Sequence, residues 1–183
     1  MPKFYSLIII LSCLLLACNN QKQQVESPET ISFKTDDSSR LFFRNVRQIA
    51  YDKEELTAAK LNIYRYKKRS EEQHIPVLNL ALVENWRFDE AYLLIEPNDF
   101  IKQNTILVKW ENPTTEENGL IEFTASNKES HQLFASQVYE QLTANSRLEI
   151  KLENEWHRIL HTQEQRDAFT TTVYDYYRLT LRL

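Results

Sequence analysis

Apolar residues along this chain cluster or alternate in short runs, at 31–33, 41–51, 61–66, 77–83, 91–95, 105–110, 120–124, 148–152 and 156–160. Runs of about four to eight residues rich in Ile, Val, Tyr, Phe and Trp, closed by Pro or Asn/Asp, are the pattern of β-strands. Strands are therefore expected to dominate the first two thirds of the chain. In the 77–83 run Val77, Asn79, Ala81 and Val83 oppose Leu78, Leu80 and Leu82, which predicts an inner strand with its leucines on one face. Gly119 follows Asn118, a dipeptide suited to the positive φ of a tight turn, and Pro113 closes the strand before it. A hairpin with a longish acidic loop is expected there.

Two helices are expected from their caps. Ser126 with Glu129, and Thr162 with Gln165, give the [ST]-x-x-[EQ] spacing by which side chains satisfy the free amides of a first turn. Phe134, Ala135, Val138 and Leu142 then form one stripe with Asn145 as the stop, and Phe169, Val173, Tyr176 and Thr180 form another. Between the helices, 148–152 and 156–160 read as a hairpin turning at Glu153-Asn154-Glu155. The fold class expected is α+β, a largely antiparallel sheet with two C-terminal α-helices packed on one face. A β-sandwich with the helices at its end is the competing arrangement.

The 183 residues suit one folded domain with a tail. Gly119 is the single glycine, where average usage of about 7% would supply about 13. Glycine-rich loops that cradle phosphates or oxyanions are thus disfavoured, and no GxGxxG, GxxxxGK[ST] or GxSxG occurs. No cofactor is implied.

The N-terminus has its own pattern. Lys3 precedes a stretch from Phe4 to Leu16 that is apolar except for Ser6 and Ser12. At 1.5 Å per residue it reaches only about 20 Å, short of the roughly 30 Å of a bilayer core, and so reads as a secretory signal. Its end, Leu15-Leu16-Ala17-Cys18, resembles the lipobox of bacterial lipoproteins. The resemblance implies cleavage after residue 17, acylation of Cys18 and anchorage to a membrane without crossing it. Asn19, where inner-membrane retention would place Asp, favours the outer membrane facing the periplasm. Residues 18–30 are then a lipidated, polar tether, and residues 31–183 the globular domain. Cys13 leaves with the signal, so the mature chain has no free thiol for a disulfide, a thiolate metal site or a nucleophile.

Removing the signal leaves 21 basic and 26 acidic residues, a net of −5, unevenly spread. Residues 40–69 hold nine basic groups against three acidic ones. On a strand, Arg65, Lys67 and Arg69 would share one face, opposite Tyr64, Tyr66 and Lys68. Such a strip could dock an anionic headgroup, an envelope polymer or an acidic protein, or could simply blunt an exposed edge strand. Nucleic acid fits poorly with export and a net negative chain.

The densest polar cluster is Glu84-Asn85-Trp86-Arg87-Phe88-Asp89-Glu90, expected as a loop between strands. Trp86, Arg87 and Asp89 are candidate binding residues there. Alternatively, Glu84, Asp89 or Glu90 could act as acid or base on a glycan or peptide, which requires a concave pocket and a carboxyl pKa raised by burial. His157 and His161 lack helical geometry for a metal pair, and no metal site is expected. Tyr174-Asp175-Tyr176-Tyr177-Arg178 reads as an aromatic core face with Asp175 and Arg178 in solvent. The function expected is a non-catalytic, lipid-anchored envelope protein that binds a partner protein or envelope component, for instance as an accessory subunit of a secretion or assembly complex.

Overall fold

The computed structural model describes residues 32–181. The signal and tether, Cys18 and the strand start at Ile31 lie outside the described residues. A first helix α1 (Asp37–Phe42) continues into a π turn (Phe43–Arg47) and a 3₁₀ turn (Gln48–Ala50). Strands β1 (Tyr51–Leu56), β2 (Leu61–Tyr66), β3 (Leu78–Asn85), β4 (Glu90–Pro97), β5 (Thr105–Glu111) and β6 (Asn118–Thr124) follow. Then come α2 (Lys128–Thr143), β7 (Arg147–Leu152), β8 (Glu155–Ile159) and α3 (Gln163–Leu179).

The strands form two four-stranded antiparallel sheets, ordered β1-β2-β3-β4 and β6-β5-β7-β8. The class is α+β with antiparallel sheet, as the sequence pattern implies. The long C-terminal helices tie the two sheets together. Helix α2 packs on β4 of the first sheet and β6 of the second, while α3 packs on α2, β3 and β4. One apolar cluster runs through both sheets, including Leu80, Leu82 and Leu93 from the first and Val108, Phe123 and Ile150 from the second. Phe134, Val138, Phe169 and Tyr176 of the helices close it. Among the described residues no helix is long and apolar enough to cross a membrane.

Strand β3 is an inner strand, with Leu78, Leu80 and Leu82 buried on one face and Ala81 and Val83 on the other. Thr162 caps α3 reciprocally with Gln165, Asn145 ends α2 with φ 59°, and Glu153 turns the β7–β8 hairpin with φ 51°. Three expectations need correction. The 41–51 run is helical up to Ala50, opened by Asp36, whose side chain accepts from the Ser39 amide while the Ser39 hydroxyl answers the Asp36 amide. Helix α2 is capped by Asn127 and Ser130, one residue beyond Ser126 and Glu129.

Gly119 lies inside β6, and its φ is not positive. The β5–β6 turn is made instead by Asn112, whose side chain accepts from the amides of Thr114 and Thr115, and by Glu116 at φ 61°. Glycine is required at 119 because the indole of Trp110 on β5 crosses it: a Cβ would stand 2.8 Å from Nε1. Steric approach, not turn geometry, selects the residue.

Candidate functional site

The 84–90 cluster is a tight hairpin corner. Glu84 and Asn85 end β3, Glu90 begins β4, and only Trp86 to Asp89 turn, with Asp89 in the left-handed region at φ 52°. Because Asn85 pairs with Glu90 and Glu84 with Ala91, Glu84 and Glu90 lie on opposite faces of the hairpin.

Glu84 faces inward and is only 3% exposed. Register places Asn62 opposite it and Tyr64 opposite Leu82, so all three polar side chains share one face. Asn62 Nδ2 and Tyr64 OH donate to Glu84 Oε2 at 2.9 and 3.1 Å, and Arg44 Nη2 donates to Oε1 at 2.9 Å. Burial pushes this carboxyl's pKa up, but the donations from Asn62, Arg44 and Tyr64 outweigh it and hold the pKa below the usual range. Burial beside this carboxylate raises the Tyr64 phenol.

Glu90 is also held below the usual range, by Lys128 at 2.8 Å and then by Lys34 at 3.5 Å. Asp89 pairs with Arg40, which also reaches Asp37. The three carboxylates therefore meet three different sets of cations. Neither Glu84 nor Glu90 has the raised pKa of a general acid.

What the corner presents outward is aromatic and cationic. Trp86 and Phe88 are partly exposed. Lys60 Nζ lies 4.7 Å over the Trp86 ring, and the Arg87 guanidinium 5.4 Å from the Phe88 ring. Beside Trp86 opens a cleft of about 400 Å³ walled by Arg44, Gln48, Lys53, Asn62 and Tyr64. Asn62 is buried, and its Oδ1 has no hydrogen-bond partner among the described residues. On the hairpin's other face, Phe88, Glu90, Tyr92, Lys128 and His131 border a cleft of about 570 Å³. His131 Nδ1 accepts from the Ile95 amide at 3.0 Å, and burial lowers its pKa, so it serves as a fixed acceptor.

Arg65, Lys67 and Arg69 do not form one strand face, because β2 ends at Tyr66. Arg65 grips Glu96, with Nε and Nη2 at 2.9 and 2.8 Å from Oε1, and reaches Glu54 at 2.7 Å. Arg69 pairs with Asp52 and Glu71 at 2.8 and 2.9 Å. Lys67 donates to the Ile49 carbonyl at 2.9 Å. Nor is β2 an edge: that place belongs to β1, whose exposed Asp52, Lys53, Glu54 and Glu55 discourage pairing with another chain.

The sequence reading overlooked a second buried carboxylate. Asp175 is not in solvent: its side chain is 0% exposed. Arg47 donates to it through Nε and Nη2 at 2.8 and 2.9 Å, and Tyr51 OH at 2.7 Å. The Asp175 hydrogen bond raises the Arg47 pKa, and burial followed by the Asp175 charge raises that of Tyr51. The available signal was the spacing Arg40, Arg44, Arg47, which puts three guanidiniums on one helical segment. Arg178 lies with its guanidinium 4.1 Å from the Phe42 ring.

No family model matches the chain, and neither the curated proteins nor the solved structures show a match to it.

Proposed function

We propose that this is a non-catalytic, lipid-anchored protein of the cell envelope that binds a partner protein or envelope component at the Trp86 corner. The observation that carries the binding role is the contrast at that corner. The carboxylates beside the aromatics are taken up by internal donors, while Trp86, under Lys60, walls one cleft with Arg44, Lys53 and Asn62, and Phe88, beside Arg87, borders the other. Aromatic and arginine side chains around a polar cavity supply contact area and orientation without reaction chemistry. Hydrolysis with Glu84 or Glu90 as the acid gains no support, since a general acid needs its proton held and the donors around these two favour its release, while Asp89 is paired with Arg40.

Two measurements test the reading. Metabolic palmitate labelling is expected to mark the expressed chain and to disappear in Cys18→Ser. A photo-crosslinking residue at position 86 of the full chain is expected to yield a discrete adduct in intact cells, absent from the same residue placed at Arg158 on the second sheet. Identical adduct patterns at the two positions overturn the binding site, and an unlabelled wild-type chain overturns the anchor.

A further inference from the structure

The segment from Asp37 to Ala50 leaves three apolar side chains in solvent while two of its arginines reach buried carboxylates. Phe43 is buried against the rings of Tyr51 and Tyr64, and Arg44 and Arg47 reach the carboxylates of Glu84 and Asp175. Leu41, Val46 and Ile49 are 61%, 51% and 80% exposed. The π turn explains how they come together. Five residues separate Leu41 from Val46, about one turn of π-helix, and three separate Val46 from Ile49, one turn of 3₁₀. An ordinary α-helix would spread them over about 140° of the axis; this one draws them closer, into a ridge.

Single exposed hydrophobes need no explanation, but a ridge of three on one short element does. Its surroundings indicate the occupant. The three arginines of the segment each meet a carboxylate of the domain, so the cations offered to a partner come from its neighbours. Lys67 is fastened to the Ile49 carbonyl, which sets an exposed ammonium at one end of the ridge, with Lys68 exposed next to it. Arg178 covers the Phe42 ring near the other end. Apolar side chains flanked by cations match the interface of a bilayer with anionic headgroups. Among the described residues the segment is also the first helical element. The 18 residues from Asn19 to Asp36 can span at most about 60 Å when extended, so the ridge stays within reach of the anchored surface.

We propose that Leu41, Val46 and Ile49 insert into the headgroup region of the membrane that holds Cys18, fixing the orientation of the domain on the bilayer. This rests on the lipid-anchor reading and adds a second contact to it. Because Arg44 and Gln48 also wall the Trp86 cleft, that cleft then opens close to the membrane plane.

The test uses the full lipidated chain in vesicles of phosphatidylethanolamine and phosphatidylglycerol. With Cys13 removed and Cys18 acylated, Ile49→Cys or Leu120→Cys supplies the one thiol for a spin label; Leu120, on β6, is 62% exposed. The label at 49 is expected to collide with a water-soluble nickel complex several-fold less often than the label at 120. Protection is expected to fall when phosphatidylcholine replaces the anionic lipid. Equal accessibility at the two positions in a chain that carries palmitate overturns the inference and leaves the anchor standing. Protection at 49 that appears only after an envelope protein fraction is added also overturns it, in favour of a protein partner. A chain without palmitate overturns the anchor reading itself.

Discussion

Arg47–Asp175 and Lys109–Glu149 are both close ion pairs, and the second is the shorter, 2.6 Å against 2.8 Å. Their surroundings differ. Asp175 is fully enclosed between α3 and the helical segment, receives a two-pronged guanidinium and takes a third donation from Tyr51. Lys109 and Glu149 face each other across β5 and β7 on the outer face of the second sheet, with side chains 39% and 30% exposed. Separation alone does not rank such contacts. Solvent screens the shorter one, while the longer one holds a charge that has nowhere else to find a partner. The helical layer over the first sheet thus encloses an ionic link, whereas the pair on the outer face of the second sheet stays in contact with water.

The comparison is sharpest in Arg47→Ala, which strands Asp175 and is expected to lower unfolding stability by about 3–5 kcal/mol in urea titrations. Tyr51→Phe removes one donor to the same carboxylate and is expected to cost about 1.5–3 kcal/mol by the same measurement. Arg44→Ala is expected to cost about 1–2 kcal/mol, less than Arg47→Ala, because Asn62 and Tyr64 still donate to Glu84 and Arg44 is half exposed.

Glu84 also carries a pH signature. Its folded pKa lies below the ordinary carboxyl value of 4.5, so the unfolded chain takes up the proton first as pH falls. The stabilisation is complete above that value and is lost as pH drops through the folded pKa. Glu84→Gln is therefore expected to flatten the acid limb of a stability–pH curve; an unchanged limb would show that Glu90 and other carboxylates dominate it. The smallest effect is expected for Lys109→Ala, below about 1 kcal/mol. Equal costs for Lys109→Ala and Arg47→Ala would break the contrast.

Strand positions were legible because half-buried strands alternate, and β3 because its leucines recur at every second residue. The cap of α3 was legible because Thr162 and Gln165 are neighbours in a known spacing. The helical segment was not, since Leu41-Phe42-Phe43 is contiguous and fits either period, and a π turn breaks both. Gly119 misled because Asn-Gly suits a tight turn, while the steric demand comes from Trp110 across the strand pair. The carboxylates at the corner were visible as residues but not as destinations: Arg44 meets Glu84 from 40 positions away, and Arg47 meets Asp175 from 128. No local pattern encodes such a pairing. Cys18 lies outside the described residues.

The three arginines of the opening helical segment have a mechanical corollary. A tug arriving from the N-terminal side first meets the short pairing of Phe33 and Lys34 with the start of β4, and then Arg40, Arg44 and Arg47 before β1. Tension is then divided among grips on the β3–β4 corner, on β3 itself and on the final helix, so the load enters the body at three separate roots and strand β1 is spared from being peeled away first.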